Sequence, residues 1–341
     1  MINPISKEEL LQYTGLRTGE TKLGETLHVV EQSSYASITK EIENSPAPFV
    51  LVGIPEDIGV RGNLGRKGAI DAWWSFIQAF VNIQENNFLS GYQILVLGTL
   101  QVADLQVKAD QLNQANENDL VQIRELVEEV DQRVSTLIEL IVKAGKTAIV
   151  IGGGHNNSYP IIKGASEALD KPLHVINCDP HGDFRALEGR HSGNGFAYAM
   201  NQKFMHKYAM VGLHESYNNQ FMLDEWANRT DEVFPQFFED VFVRSEHTWK
   251  EQINQALDYL GKEAPFGIEL DLDSIAHFPV SAATPSGIRL EEARQYVHLS
   301  TINRKPTYIH LCEGAPTLGA NGNTTVGKGI AYLVSDFLKA Y

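Results

Sequence analysis

Short apolar, β-branched runs alternate along this chain with longer amphipathic ones, and that alternation leaves few folds open to it. Strand-length runs fall at residues 49–53, 94–98, 147–151, 173–177, 208–212, 241–243, 266–271 and 307–311. The clearest helical pattern covers 119–144, where Leu120, Ile123, Val127, Val130, Val134, Leu137 and Ile141 recur at helical spacing. Asp119 reads as its N-cap and Gly145 as its stop. A closing helix is expected over 323–341, regular after Gly329, and the polar stretch 101–117 reads as a surface loop. Strand–helix alternation implies a mostly parallel sheet covered on both faces. The expected fold is α/β: a single three-layer domain of residues 46–341 with about eight strands, preceded by an arm or helix over 1–45.

Composition narrows the partners. A formal net charge of −15 over 341 residues argues against nucleic acid or an anionic membrane, although a few local arginines can still bind an anionic small molecule. The start, MINPISKEELLQY, lacks a basic segment followed by an apolar core, and no apolar run approaches the ~18–20 residues of a membrane span. Two cysteines, Cys178 and Cys312, read as reduced, packed thiols of a cytoplasmic protein rather than a disulfide framework.

Ligands of parallel sheets bind beyond the carboxyl ends of the strands, and chemistry-bearing residues gather there. Asp179, His181 and Asp183 follow the run 173–176 at spacings of two, so an extended backbone turns them to one face. Such a group is costly to desolvate without a cation. GGGH places His155 behind three glycines, with no Gly-Lys-Ser/Thr to make a phosphate loop. By itself that histidine reads as readily as a cap or a packed side chain. GIELDLDSI carries Glu269, Asp271 and Asp273 in alternation, a pattern that an edge strand with outward acids would also show. Together, two histidines and four aspartates suit hard or borderline divalent ions such as Mn2+. Six ligands exceed the need of one ion with an open site. Two ions, about 3.5–4 Å apart, are the simpler reading, and such pairs hold a hydroxide at neutral pH. That is hydrolase chemistry.

GGGH, D-x-H-x-D and D-x-D, in this order, resemble the three metal motifs of the ureohydrolases: arginase, agmatinase and formimidoylglutamase. The resemblance runs from about residue 49 to the end of the chain. It implies an arginase-like fold and two Mn2+ ions per chain, one held by His155, Asp179, Asp183 and Asp271. The other would be held by Asp179, His181, Asp271 and Asp273, with Asp179 and Asp271 bridging. It also implies that Asp183 orients the nucleophile and that Glu313, in HLCEGAP, grips the substrate amidinium or guanidinium.

Within that family the details resemble the formimidoylglutamase branch. GIPEDIGVRGNLGRKGA, with Arg61, Asn63 and Arg66, is similar to that branch's N-terminal signature. Arg185 stands two residues past the last ligand of the second motif, where a guanidinium suits a substrate carboxylate. In GRHSGNGFAYA, Ser192 occupies the place of the agmatinase proton shuttle and His191 is displaced by one. His191 remains a candidate acid, and Asn194, His214 and Asn218 are candidate substrate contacts beside Arg185. The resemblance thus implies hydrolysis of N-formimino-L-glutamate to L-glutamate and formamide, a reaction of histidine metabolism. Alternatives are a urea-releasing guanidino hydrolase and a catalytically silent metal-binding homologue, and a homo-oligomer is compatible with either. DPHGDF also resembles the start of dinuclear metallophosphoesterases, but their further Asn and His ligands lie downstream, whereas GGGHNN lies upstream.

Overall fold

A computed structural model of the chain describes residues 1–31 and 34–341. Among the described residues ten strands form one sheet: β1 (Ile2–Asn3), β2 (His28–Val29), β3 (Phe49–Gly53), β4 (Ile94–Leu100), β5 (Thr147–Ile151), β6 (Leu173–Cys178), β7 (Met205–Leu213), β8 (Val233–Phe237), β9 (Phe266–Asp271) and β10 (Tyr308–Cys312). Their order is β1-β4-β3-β5-β10-β9-β6-β7-β8, with β2 also on β4. Every pairing is parallel except β1 with β4.

Parallel strands need crossover helices, and these bury both sheet faces. Side chains alternate accordingly. Phe49 and Leu51 of β3 join one core layer with the helices Ala72–Phe80, Trp249–Leu260, Leu290–Thr301 and Gly322–Ala340. Val50 and Val52 join the other, with Glu117–Lys143 and Ser158–Leu169. Each fully buried aliphatic side chain contributes about 1.5–3 kcal/mol relative to exposure. The result is three layers, as the alternation predicts.

Several local expectations are corrected. The segment 101–117 is not a loop throughout: Ala103–Asp110 is helical, and Leu105, Gln106 and Ala109 are buried. Its apolar stripe is too thin to show as periodicity. The run 241–243 is not a strand. Val241 and Phe242 end the short helix Phe238–Phe242, and Val243 is exposed. The strand lies just upstream, at the outer end of the sheet, where Pro235 costs no ladder hydrogen bond. The long helix is capped by Asn116, whose side chain accepts from Asn118 N and Asp119 N, and not by Asp119. At its far end Gly145 has φ +72°, the left-handed conformation that stops a helix. The closing helix starts at Gly322, before Gly329. β1 and β2 cover the outer edge of β4, and Ile38 and Ile42 of Tyr35–Asn44 are buried in the core. Among the described residues no helix is long and apolar enough to cross a membrane.

Candidate metal centre

Four strands adjacent in the sheet, β5, β10, β9 and β6, end on the same side. His155 follows β5, Glu313 follows β10, Asp271 closes β9 with Asp273 just beyond, and Asp179, His181 and Asp183 follow β6. β9 is a central strand, and Glu269 within it is wholly buried, which disposes of the edge-strand alternative.

His155 Nδ1 lies 3.1 Å from Asp179 Oδ2, 2.9 Å from Asp183 Oδ2 and 3.2 Å from Asp271 Oδ2. His181 Nδ1 lies 3.4 Å from Asp179 Oδ1 and 3.1 Å from Asp273 Oδ2. The aspartates fall into two donor groups, His155–Asp179–Asp183–Asp271 and Asp179–His181–Asp273, each with its atoms within 4.8 Å of one another; His155, His310 and Cys312 form a further set. Asp179 belongs to both. Asp271 falls in the first alone, and its Oδ1 accepts from Asp273 N at 2.8 Å.

The arrangement suits divalent cations. Both ring nitrogens of His155 and Oδ1 of Asp273 are buried without a hydrogen-bond partner, although buried polar atoms are ordinarily paired. Burial and the charges of Asp273 and Asp179 push Asp271 well above the ordinary carboxylate value. Burial likewise lifts Asp183, Asp273 (to about 6) and Glu313. Asp179 moves the other way: although burial opposes it, His155 and His181 hold it low. Carboxylates outnumber imidazoles, so the cluster lacks positive charge, and the oxygen-rich donor set with a little imidazole fits Mn2+-like ions.

The backbone is shaped for this convergence. Gly152 and Gly153 have φ of +83° and +70°, and a Cβ on Gly154 would stand 2.6 Å from Val60 Cγ2. Glu56, which the sequence reading did not single out, is buried beneath this turn. Its Oε1 accepts from Gly154 N (3.1 Å) and Asn157 Nδ2 (2.6 Å), and its Oε2 from Ile58 N (2.7 Å). Asp183 and Glu313 themselves have φ of +43° and +64°, strain of the kind stored at functional sites. Glu313 Oε1 accepts from His155 N at 2.8 Å.

A cavity of about 270 Å³ opens over the cluster. His181, Asp183, Asp271, Asp273 and Glu313 line it. Asn63, Arg185, Ser192, Gly193, Tyr217, Asn219, Ser281 and Ala282 line it as well. Arg185 is half-exposed, and its Nη1 donates to Asn63 Oδ1 at 2.9 Å. Tyr217 stacks on His181 with ring centroids 5.3 Å apart.

Other candidates stand behind this lining. His191 is fully buried; its Nδ1 accepts from Gly193 N at 3.1 Å, and burial with Arg124, Arg185 and Arg190 pushes it down to about 3. Asn194 Oδ1 accepts from Arg190 Nη1 (2.7 Å), and its Nδ2 donates to Gly189 O (2.8 Å). Asn218 Oδ1 accepts from Gly182 N at 2.8 Å, and its Nδ2 donates to Pro180 O and His214 O. His214 is packed between Tyr217 and Phe238. These residues brace the pocket loops. Arg61 and Arg190 are buried as well: Arg61 donates to Leu112 O at 2.8 Å and Arg190 Nε to Asp131 Oδ2 at 2.8 Å.

The model of the arginase family matches residues 47–337. The chain belongs to the arginase family. Among its relatives in that family, a formimidoylglutamase of Hahella chejuensis is 28% identical over 299 residues, covering 83% of this chain and 82% of the relative. Formimidoylglutamase from Bacillus subtilis superposes with TM-score 0.73 at 17% identity, over 95% of this chain and 93% of its own. Trypanosoma cruzi formiminoglutamase with two Mn2+ ions superposes with TM-score 0.69 at 18% identity, over 94% and 99%. These two structures share the arginase-family fold seen here.

Proposed function

We propose that the chain is a dinuclear manganese hydrolase that cleaves a C–N bond of a linear amidine, with N-formimino-L-glutamate as substrate. One observation carries this reading: a single cavity is lined by Glu313, by members of a carboxylate-rich donor cluster and by Arg185. Relatives named formimidoylglutamase support the same substrate.

His155, Asp179, Asp183 and Asp271 would hold one ion, and Asp179, His181, Asp271 and Asp273 the other. A bound pair would supply a nucleophile from water at neutral pH and would stabilise negative charge on its oxygen. Glu313 accepts hydrogen bonds from the amidinium nitrogens and holds the amidine carbon over the cluster. Arg185 takes a substrate carboxylate through two parallel charge-assisted hydrogen bonds, and binding at both ends makes the attack effectively intramolecular. Asp183 accepts from the attacking water and sets its direction. Water adds to the amidine carbon, the bond to the glutamate nitrogen breaks, and that nitrogen leaves with a proton, giving L-glutamate and formamide. His191, buried and held neutral, is poorly placed to supply that proton. Asp183, which lines the cavity, passes it on instead. Buried, free Cys178 and Cys312 fit a reducing compartment.

The test is a substrate panel on Mn2+-loaded protein, with formamide and urea measured side by side and bound metal counted by elemental analysis. Formamide from N-formimino-L-glutamate with two ions per chain is expected, and Asp183→Asn or Asp273→Ala should abolish turnover in a folded chain. Urea from arginine or agmatine would assign a guanidino substrate instead, and a chain that binds no metal would be a silent homologue.

A further inference from the structure

We infer that Glu269 is a positioning residue: through a buried network with Tyr308 and His310 it fixes how His155 is presented to the metal pair. The inference rests on the dinuclear reading above. Glu269, His310 and Tyr308 are wholly buried and lie outside the cavity lining. Glu269 and His310 face each other in the β9–β10 register. Glu269 Oε1 accepts from Tyr308 OH at 2.9 Å, and Oε2 lies 2.7 Å from His310 Nδ1, whose other nitrogen is 3.3 Å from Gly152 O. Tyr296 OH donates to Glu269 O at 2.8 Å. The backbone of Glu269 is therefore held by Tyr296, and its carboxylate by Tyr308 and His310.

Its free direction points at His155. Nδ1 of that ring is turned to Asp179, Asp183 and Asp271, while Nε2 makes no hydrogen bond and faces Glu269 Oε2 at 3.5 Å. The Phe196 ring packs edge-on against His155, with centroids 5.1 Å apart, and restrains it further. A neutral imidazole carries its proton on one nitrogen or the other, and an acceptor opposite Nε2 selects the form whose Nδ1 lone pair is free for a metal. Packing β9 against β10 requires no carboxylate here, and burying one is costly unless it has partners. The partners are present, and their shared geometry aims the remaining acceptor at His155.

The experiment is titration of Mn2+ into the metal-stripped full-length chain, comparing wild type with Glu269→Gln, Tyr308→Phe and His310→Gln, and reading two dissociation constants. Ligand-field spectra of the Co2+-substituted proteins give a second readout. Glu269→Gln should weaken the site that includes His155 by about 10–100-fold, leave the site that includes His181 unchanged, and alter the Co2+ spectrum. Tyr308→Phe and His310→Gln should shift the same site by less. A folded Glu269→Gln protein with both constants and the spectrum of wild type would overturn the inference. Should that variant not fold, unaltered constants in both others would overturn it equally. If wild type takes up no Mn2+, the dinuclear reading itself fails, and that result is distinct from two ions bound equally well by every variant.

Discussion

The Arg185 guanidinium stands half-exposed at the cavity wall, tethered to Asn63 and 3.6 Å from Glu188. A group so placed contributes to holding substrate more than to the bond-breaking step. Arg185→Ala should therefore raise KM by about 10–100-fold, from the ~1.5–3 kcal/mol of a charged hydrogen bond, with kcat changed far less. Steady-state kinetics decide this, and an equal loss confined to kcat would place Arg185 in the chemistry instead. His191 makes a different prediction. Its folded-state value near 3, set by burial and then by neighbouring arginines, lies below the ordinary 6.5. The unfolded chain therefore takes up a proton first as pH falls. Its contribution to stability is complete above about 6.5 and is lost toward 3, at up to about 1.4 kcal/mol per pH unit. Urea unfolding of metal-free wild type and His191→Gln at pH 7, 6 and 5 should show the variant losing stability less steeply.

At the level of elements, the long helix Glu117–Lys143 and the loop that carries Ser192 are joined by one buried ion pair. Arg190 Nε donates to Asp131 Oδ2, Nη2 donates to Asn156 O at 2.8 Å, and the guanidinium lies against the rings of Tyr159 and Tyr198 at 4.6 and 4.9 Å. Burial raises Asp131, and Arg190 counters it. Asp131→Ala leaves the cation uncompensated and should cost about 3–5 kcal/mol, read as a lower denaturant midpoint. Nothing local in the sequence marks the partner of Arg190, which lies 59 residues away. The same limit applies elsewhere. The ligand motifs are legible because each sits within a few residues at a strand end, and the sheet was legible from apolar runs. That β5, β10, β9 and β6 are neighbours is set by long-range pairing, which no single run encodes. Glu269 alternates visibly with Asp271, yet its role depends on His310 across the sheet. Asn194, His214 and Asn218 sit in the expected loops, but their hydrogen bonds and packing turn inward, and loop conformation is not written in residue type.

For the whole molecule, cations held as proposed at the strand ends would tie together segments more than a hundred residues apart in sequence. Anything that binds the folded chain alone stabilises it, by about 2.7 kcal/mol per ion at a hundredfold excess over Kd. Thermal unfolding should shift upward by several degrees on Mn2+ loading and return on chelation, and Asp273→Ala should blunt the shift. Asp183 and Glu313 also bear on evolution. Both hold left-handed backbone angles that cost non-glycine residues about 1–2 kcal/mol, and both carry carboxylates that burial disfavours. Glycine at either position relieves both penalties, offset in part by its greater freedom when unfolded and, at Glu313, by the His155 N–H left without its acceptor. Metal-free Asp183→Gly should accordingly melt above wild type while its turnover disappears. Heat survival and catalysis thus pull these two positions apart, and a library screened for thermal resistance alone would enrich inactive molecules.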